Sequence, residues 1–186
     1  MVLPGDDLES SVLDLVAVLE GLVDDSFEIL LLAGDETPEI ANLRARGHGL
    51  PLRLIDGNSI ADGCDAAQYE LILVAAQDGQ YDVRELNHLL DSIEQGADVA
   101  VGYRPRRTDV LVRQLHRWGW SVELDVAFGL MRKEVWQRLK QAGRHNSGCA
   151  ELLASVRRLG FNVAEVSVSH HRPTLGSPVS AGWQAA

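Results

Sequence analysis

The sequence predicts an α/β fold: a mostly parallel central sheet with helices on both faces. Two observations lead to this fold class. Short segments that are apolar throughout alternate along the chain with segments whose apolar residues recur every three or four positions. The short segments also lack the in-and-out alternation of a strand with one solvated face, so we expect strands buried on both faces.

The length and composition are those of one globular domain. The chain has 186 residues, of which 46% are hydrophobic and 24% are charged. This is enough for one core and too little for two ordinary domains. We expect a domain over residues 1–170 and a loop-like tail over residues 171–186.

The charge balance and the cysteine count exclude several function classes. Seventeen basic against 27 acidic residues leave a net charge of -10, which disfavours broad binding to nucleic acid. Two cysteines cannot form a disulfide framework or a zinc site, so we expect a reducing, cytoplasmic location. The apolar runs are too short for a transmembrane segment, and the first residues lack the features of a signal peptide.

Strands and helices alternate over the first hundred residues. The run FEILLLA and the run starting at Leu71 are apolar throughout, whereas apolar residues recur at helical spacing after Leu8 and after Val83. Pro38 fits the first turn of a short helix. We predict strands at 2–3, 27–33, 52–55, 71–75 and 98–102. We predict helices over 8–23, 37–46 and 83–94.

The second half of the chain has a less regular pattern. Residues 162–168 alternate between apolar and polar positions, which is typical of a strand near a sheet edge. We predict helices over 108–120, 133–142 and 149–159, and a further strand at 127–131. Because ligands of open α/β sheets bind at the carboxyl ends of strands, residues that directly follow strands are the first candidates for a site.

Asp78 and Gln80 follow the fourth predicted strand and flank Gly79. A carboxylate and an amide oxygen at this spacing can hold a hard divalent cation, which would bridge a diphosphate. The alternative is a polar turn whose aspartate caps the next helix, since Asp and Gly are ordinary turn residues. The spacing alone favours this alternative.

Arg104 begins a group of three arginines within four residues after the fifth strand. Arginine forms bidentate hydrogen bonds with phosphate. In a protein this acidic, the group indicates either a phosphate site or a solvated basic loop.

Two further candidates lie near the later strands. Asp125 precedes a predicted strand and could act as a general base for an acceptor hydroxyl; an ordinary acid at a strand edge is the alternative. His170 and Arg172 follow the last strand and could donate to phosphate; a surface loop is the alternative. The sequence lacks the dinucleotide, Walker and nucleophile-elbow motifs.

Taken in order, these segments resemble the family 2 glycosyltransferases of the GT-A type, and most closely the dolichol- or polyprenyl-phosphate sugar transferase branch. The resemblance covers nearly the whole chain and rests on six segments in the right order. The segment AQDGQY resembles the family's D-A-D-G-Q-Y, and LDVAFGLMRKEV resembles its D-C-G-F-R-L-F-R-R-E-V. The other four are LPGDD, EILLLAGD, ADVAVGYRPRR and ELLASVRRLGFNVAEVSVSHHRP.

The resemblance implies a single Rossmann-like GT-A domain that transfers a sugar with inversion from a UDP- or GDP-linked donor. It implies a divalent metal, Mg or Mn, and an acceptor that is a polyprenyl phosphate or another hydroxyl compound. It places Asp125 at the catalytic acidic residue on the acceptor side, and Asp78 and Gln80 at the metal. The nucleotide and phosphate positions it implies are Pro4, Asp6, Asp7, Gly34, Asp35, Arg104, His170 and Arg172.

The sequence departs from the family pattern where the chemistry takes place. Ala33 stands where the family has a nucleotide-contacting acid, Ala76 replaces the first aspartate of its D-x-D, and Gly129 replaces an arginine. Two alternatives to an active transferase therefore stay open. One is a degenerate member that binds a nucleotide, or no ligand, and acts as an accessory or regulatory partner. The other is a nucleotidyltransferase-like enzyme, although the loop after the first strand lacks its basic residue.

Trp118 and Trp120 lie in a segment that is shorter than its counterpart in the family. They indicate either an interfacial patch that would place the protein peripherally on a membrane, since tryptophan favours such interfaces, or ordinary core residues. The sequence also leaves a homo-oligomer open.

Overall fold

The computed structural model describes residues 8–23, 27–33, 41–42, 51–57, 59–75, 81–103, 128–144 and 149–169. Among them the strands are β1 (Ile29–Ala33), β2 (Leu52–Asp56), β3 (Leu71–Ala75), β4 (Val99–Tyr103), β5 (Phe128–Arg132) and β6 (Val163–Ser167). The helices are α1 (Leu8–Leu22), α2 (Ile60–Ala66), α3 (Leu86–Glu94), α4 (Lys133–Gln141) and α5 (Cys149–Arg158), and a 3-10 turn (Val83–Glu85) precedes α3.

The strands pair as two groups within the described residues. β1 and β2 pair in parallel, and four strands form a sheet in the order β3-β5-β4-β6. β4 and β6 are parallel, and β5 is antiparallel to both β3 and β4. Therefore β3, β4 and β6 run in one direction and β5 alone is reversed, which agrees with the mostly parallel sheet that the sequence predicts.

Helices cover both faces of the four-stranded sheet. Along β4, Val99 and Val101 pack into one buried cluster and Ala100 packs into the other, because successive side chains point to opposite faces. The first cluster contains residues of α2, α4 and α5, and the second contains residues of α3. A third cluster joins α1 to β1. The predicted α/β layering is confirmed.

The helix α2 is absent from the sequence-based prediction. Ser59 caps it: its hydroxyl accepts from the Asp62 N–H, and the Asp62 carboxylate accepts in return from the Ser59 N–H. This reciprocal pair is a capping box. The helix is only seven residues long and contains a glycine, so it is too short to show a helical spacing of apolar residues. The S-x-x-D motif is the signal in the sequence that indicates it.

Hydrogen bonds join α2 to α4 at the edge of the sheet where β3 begins. The Lys133 Nζ donates to the Ala67 carbonyl at 2.6 Å, just past the end of α2. Asp65 accepts from the Trp136 Nε1 at 2.8 Å and from the Lys140 Nζ at 2.6 Å. Both lysines of the chain thus donate hydrogen bonds at this edge, which is the edge opposite the carboxyl end of β3.

Several elements predicted from the sequence lie partly or wholly outside the residues that the structure describes. Residues 41–42, within the predicted helix 37–46, are helical. The predicted strand 2–3, the predicted helix 108–120 and the tail 171–186 lie outside the described residues. In the part of the chain that the structure describes, no helix is both long and apolar enough to cross a membrane.

Gly102 of β4 lies where a side chain would collide with its neighbours. A Cβ there would be 3.0 Å from the Phe128 Cδ1 and 3.0 Å from the Val168 Cγ2. We expect Gly102→Ala to lower the free energy of unfolding by about 1–3 kcal/mol, the usual cost of overpacking. Urea denaturation followed by circular dichroism measures it.

Gly21→Ala is the matched control. Gly21 lies in α1, and a Cβ there would meet nothing within 4 Å. Alanine favours helix over glycine by about 1 kcal/mol, so this variant should be as stable as the wild type or more so. Equal stability of the wild type and Gly102→Ala would contradict the packing described for β4.

Candidate functional site

The carboxyl ends of β3, β4 and β6 lie at one edge of the four-stranded sheet. Because β5 is reversed, its amino end lies beside the carboxyl ends of β3, β4 and β6. At this edge Ala75 pairs with Phe128, and Tyr103 pairs with Ser167. This is the edge at which open α/β sheets bind ligands.

Asp78 and Asp125 belong to segments that reach this edge from neighbouring strands. Asp78 follows Ala75 by three residues and Asp125 precedes Phe128 by three residues. Three residues of extended chain span at most about 11 Å, and Ala75 and Phe128 are direct partners. The last described residue before Asp78 and the first described residue after Asp125 are therefore neighbours in the sheet. The side chains of Asp78, Gln80 and Asp125 lie outside the described residues.

The basic candidates belong to the same edge. Arg104 follows Tyr103, the last residue of β4, and His170 follows Ser169, just past the end of β6. The Val168 N–H donates to the Tyr103 carbonyl at 3.1 Å, so these two strands stay paired up to the point where both segments leave. Arg104, His170 and Arg172 themselves lie outside the described residues.

The remaining candidates adjoin β1 and α1. Ala33 is the last residue of β1 and pairs with Asp56, so the alanine that replaces the family's acid does stand at a strand end. Gly34 and Asp35 directly follow it. Pro4, Asp6 and Asp7 precede α1. These five candidate residues also lie outside the described residues.

An aromatic pair connects the Asp78 segment to β5. The rings of Tyr81 and Phe128 stack with their centroids 5.7 Å apart and their planes 14° apart. Both side chains are buried, at 8% and 1% exposure. Ala75 and Tyr81, the two residues that flank positions 76–80, therefore both contact Phe128 of β5.

A carboxylate connects the 3-10 turn after Tyr81 to the end of β6. The Glu85 Oε2 accepts a hydrogen bond from the Ser169 backbone N–H at 2.7 Å. Asp82 caps the turn by accepting from the Arg84 N–H at 3.0 Å. The turn that follows the Asp78 segment is therefore hydrogen-bonded to Ser169, the residue that precedes His170.

A cavity of about 550 Å³ lies between β1 and β3. Its described lining is apolar apart from Glu28 and Glu70, and Glu28 forms an ion pair with Arg53. Two acids and no basic side chain would repel a diphosphate. The described lining of this cavity thus does not fit the phosphates of a nucleotide.

Cys64 of α2 borders this cavity and is 2% exposed. Burial raises the pKa of its thiol to about 12, because the apolar surroundings disfavour the thiolate. The thiolate is the reactive form, so Cys64 is a core residue and not a candidate nucleophile. Among the described residues, no group of three His, Cys, Asp or Glu side chains could hold a metal ion.

The structure adds residues that the sequence-based reasoning left without a role. Tyr81 and Gly102 stand inside segments singled out from the sequence, but their contacts with Phe128 depend on which strands are neighbours. Glu85 gave no signal, because its partner lies 84 residues away. Such long-range contacts follow from topology and not from local pattern.

No model of a known protein family matches the sequence, and no curated protein matches it. Solved structures do resemble the fold. A mannosyltransferase from Pyrobaculum calidifontis, in complex with GDP-Man and Mn²⁺, aligns with a TM-score of 0.70 at 14% identity. The alignment covers 94% of this chain and 56% of that one, so this chain spans little more than half of that protein's length.

Two other structures show the range of similar proteins. Glucosyl-3-phosphoglycerate synthase from Mycobacterium tuberculosis, with Mn²⁺ and UDP-glucose, aligns with a TM-score of 0.59 at 16% identity, over 94% of this chain and 71% of that one. The 4-diphosphocytidyl-2C-methyl-D-erythritol synthase from Anaerococcus prevotii aligns with a TM-score of 0.57 at 11% identity, over 85% and 77%. The fold is the Rossmann-like GT-A fold, as the sequence predicts.

The buried thiol of Cys64 generates a chemical prediction. In the folded protein at pH 8, iodoacetamide should leave Cys64 unmodified, whereas in urea it should alkylate this residue fully. Peptide mass spectrometry separates Cys64 from Cys149. Rapid alkylation of Cys64 in the folded protein would contradict its placement in the core.

The same thiol affects stability at high pH. The pKa in the folded protein, about 12, lies above the ordinary value of the thiol, 9.0, so the unfolded state loses the proton first. The contribution of Cys64 to stability is therefore complete below pH 9 and is lost between pH 9 and about 12. Cys64→Ala should show a weaker fall of stability over this interval than the wild type.

Proposed function

We propose that this chain is a glycosyltransferase that binds a UDP- or GDP-linked sugar and transfers the sugar with inversion to an acceptor. The observation that carries the proposal is the strand order at the site edge. In the sheet, β5 lies between β3 and β4. Asp125 precedes β5, Asp78 follows β3 and Arg104 follows β4, and this order supports assigning a base, a metal ligand and a phosphate ligand to one site.

Asp78 and Gln80 would hold a divalent cation. Both supply hard oxygen donors, which Mg²⁺ and Mn²⁺ prefer. Their segment is anchored at Ala75 by β3 and at Tyr81 by the stacked rings. This donor chemistry fits the metal, with the diphosphate and water as remaining ligands. When bound, the cation would neutralise the charge of the leaving diphosphate.

Asp125 would serve as the general base. It accepts the proton of the acceptor hydroxyl while the acceptor oxygen bonds to the anomeric carbon and the bond from that carbon to the diphosphate breaks. The nucleoside diphosphate leaves from the opposite face, which inverts the anomeric configuration. Where the acceptor is a phosphate that is already ionised, its oxygen attacks without transferring a proton, and the step needs no general base.

Arg104, His170 and Arg172 would bind phosphate groups. Arginine makes bidentate bonds to phosphate, and both basic segments leave the sheet beside each other because β4 and β6 are neighbours. We assign Arg104 to the diphosphate or an acceptor phosphate, and the His170 segment to closing the same site.

The nucleoside would lie near the amino end of α1. Val83, in the turn that follows the Asp78 segment, packs against the cluster that contains Val12 of α1. This contact joins α1, which Asp6 and Asp7 precede in sequence, to the turn that follows the Asp78 segment, and it supports the assignment. We assign Pro4, Asp6, Asp7, Gly34 and Asp35 to the nucleotide, where the acids can accept from ribose hydroxyls.

The acceptor and the location are further parts of the proposal. We propose a polyprenyl phosphate or another hydroxyl compound as the acceptor and the cytoplasm as the location. Trp118 and Trp120 would provide a peripheral membrane contact if the acceptor is a lipid. A homo-oligomer is compatible with this proposal.

A separate observation favours a second function. Ala33 and Ala76 replace acids of the family pattern, and an unpaired buried polar group costs about 1–3 kcal/mol. Several such losses together would leave a protein that binds a nucleotide weakly, without metal, or not at all. That protein would act as an accessory or regulatory partner.

Isothermal titration with UDP and GDP, each with and without Mn²⁺, tests the proposal. We expect binding that depends on the metal. Asp78→Ala should weaken it by about 5- to 150-fold, since losing a partner of a charged group costs about 1–3 kcal/mol. Asp91→Ala, which removes an exposed acid of α3, is the matched control and should bind like the wild type.

Other results of the titration would favour a different function. Binding that neither Mn²⁺ nor Asp78→Ala changes would favour the degenerate, metal-independent partner. Absence of binding to both nucleotides would contradict the transferase proposal. If neither UDP nor GDP binds, a further titration with CTP tests the second alternative, and binding of CTP would favour an activity like that of the 4-diphosphocytidyl-2C-methyl-D-erythritol synthase whose fold is similar.

A further inference from the structure

Glu85 stands at the amino end of α3 but does not cap that helix. A side chain at this position ordinarily accepts hydrogen bonds from the first N–H groups of its own helix. The Glu85 carboxylate makes no such bond, and Asp82 caps the preceding turn. The Glu85 carboxylate bonds instead to the Ser169 N–H, 84 residues further along the chain, at 2.7 Å.

The bond lies at the point where β6 stops pairing with β4. The Val168 N–H makes a bond to the Tyr103 carbonyl, and the next N–H along the chain, that of Ser169, donates to Glu85. His170 follows immediately. The last described residue before the basic segment, Ser169, is thus bound to a carboxylate on the turn that follows the Asp78 segment.

We propose that Glu85 is a positioning residue for diphosphate binding. Its carboxylate holds Ser169, which directly precedes the segment His170–Arg172, beside the turn that follows the Asp78 segment. The basic side chains of His170–Arg172 are the ones assigned above to the phosphates. Glu85 itself need not touch the ligand. This inference rests on the proposed function, because it presumes that a nucleoside diphosphate binds at this edge.

Two substitutions separate the hydrogen bond from the charge. Glu85→Gln keeps an acceptor oxygen at the same reach, whereas Glu85→Ala removes it. Glu94→Ala, at the exposed far end of the same helix, is the matched control. Hydrogen–deuterium exchange of the peptide that contains residues 168–173 reports on the segment, and titration with UDP, GDP and their monophosphates reports on binding.

We expect Glu85→Ala to speed exchange in this peptide and to weaken diphosphate binding by about 5- to 30-fold, which corresponds to about 1–2 kcal/mol. Monophosphate binding should change less, because the basic segment is assigned to the phosphates. Glu85→Gln and Glu94→Ala should resemble the wild type in both measurements. A purely structural role would weaken monophosphate and diphosphate binding equally.

Three results would overturn the inference. Unchanged exchange in Glu85→Ala would show that the carboxylate does not hold the segment. Faster exchange with unchanged diphosphate affinity would show that holding the segment has no part in binding. If the wild type binds no nucleotide, the proposed function fails and the binding role with it, while the exchange measurement still decides whether Glu85 holds the segment.

Discussion

The reversed strand β5 is the constraint on which the rest of the structure depends. It lies between β3 and β4 and pairs with both, so its first residue, Phe128, is placed beside the end of β3. A parallel strand in that position would send its amino end, and the segment of Asp125, to the opposite edge of the sheet. The reversal therefore turns two distant segments of sequence into neighbours at one edge.

The packing around β5 shows what this arrangement requires. Phe128 stacks on Tyr81 on one side and lies against Gly102 on the other. A side chain at position 102 would push Phe128 away, and a smaller residue at position 128 would lose the stacked ring. The aromatic residue and the glycine are thus a complementary pair at the base of the site.

The two edges of the sheet are held together by different chemistry. At the edge where β3 begins, both lysines make hydrogen bonds to the region around α2. At the site edge, ring stacking, backbone bonds and the Glu85 carboxylate hold the described residues.

Local pattern predicted the elements well and their arrangement less well. The apolar runs at β1, β3 and β4 identified buried strands, because a strand covered on both faces must be apolar throughout. The short, glycine-containing α2 was missed. The direction of β5 and the bond from Glu85 to Ser169 depend on residues far apart in sequence, so no window of sequence contains them. The candidate site residues were predicted from their positions next to strands and from the order of the segments that resemble the family. Their roles stay predictions.

A crystal structure of the protein with GDP or UDP and Mn²⁺ tests the central claim most directly. Anomalous scattering locates the manganese without reference to a prior assignment. The account predicts a peak bound by the Asp78 carboxylate and the diphosphate, with Arg104 and Asp125 on either side. Manganese and nucleotide at the opposite edge, or in the apolar cavity between β1 and β3, would contradict it.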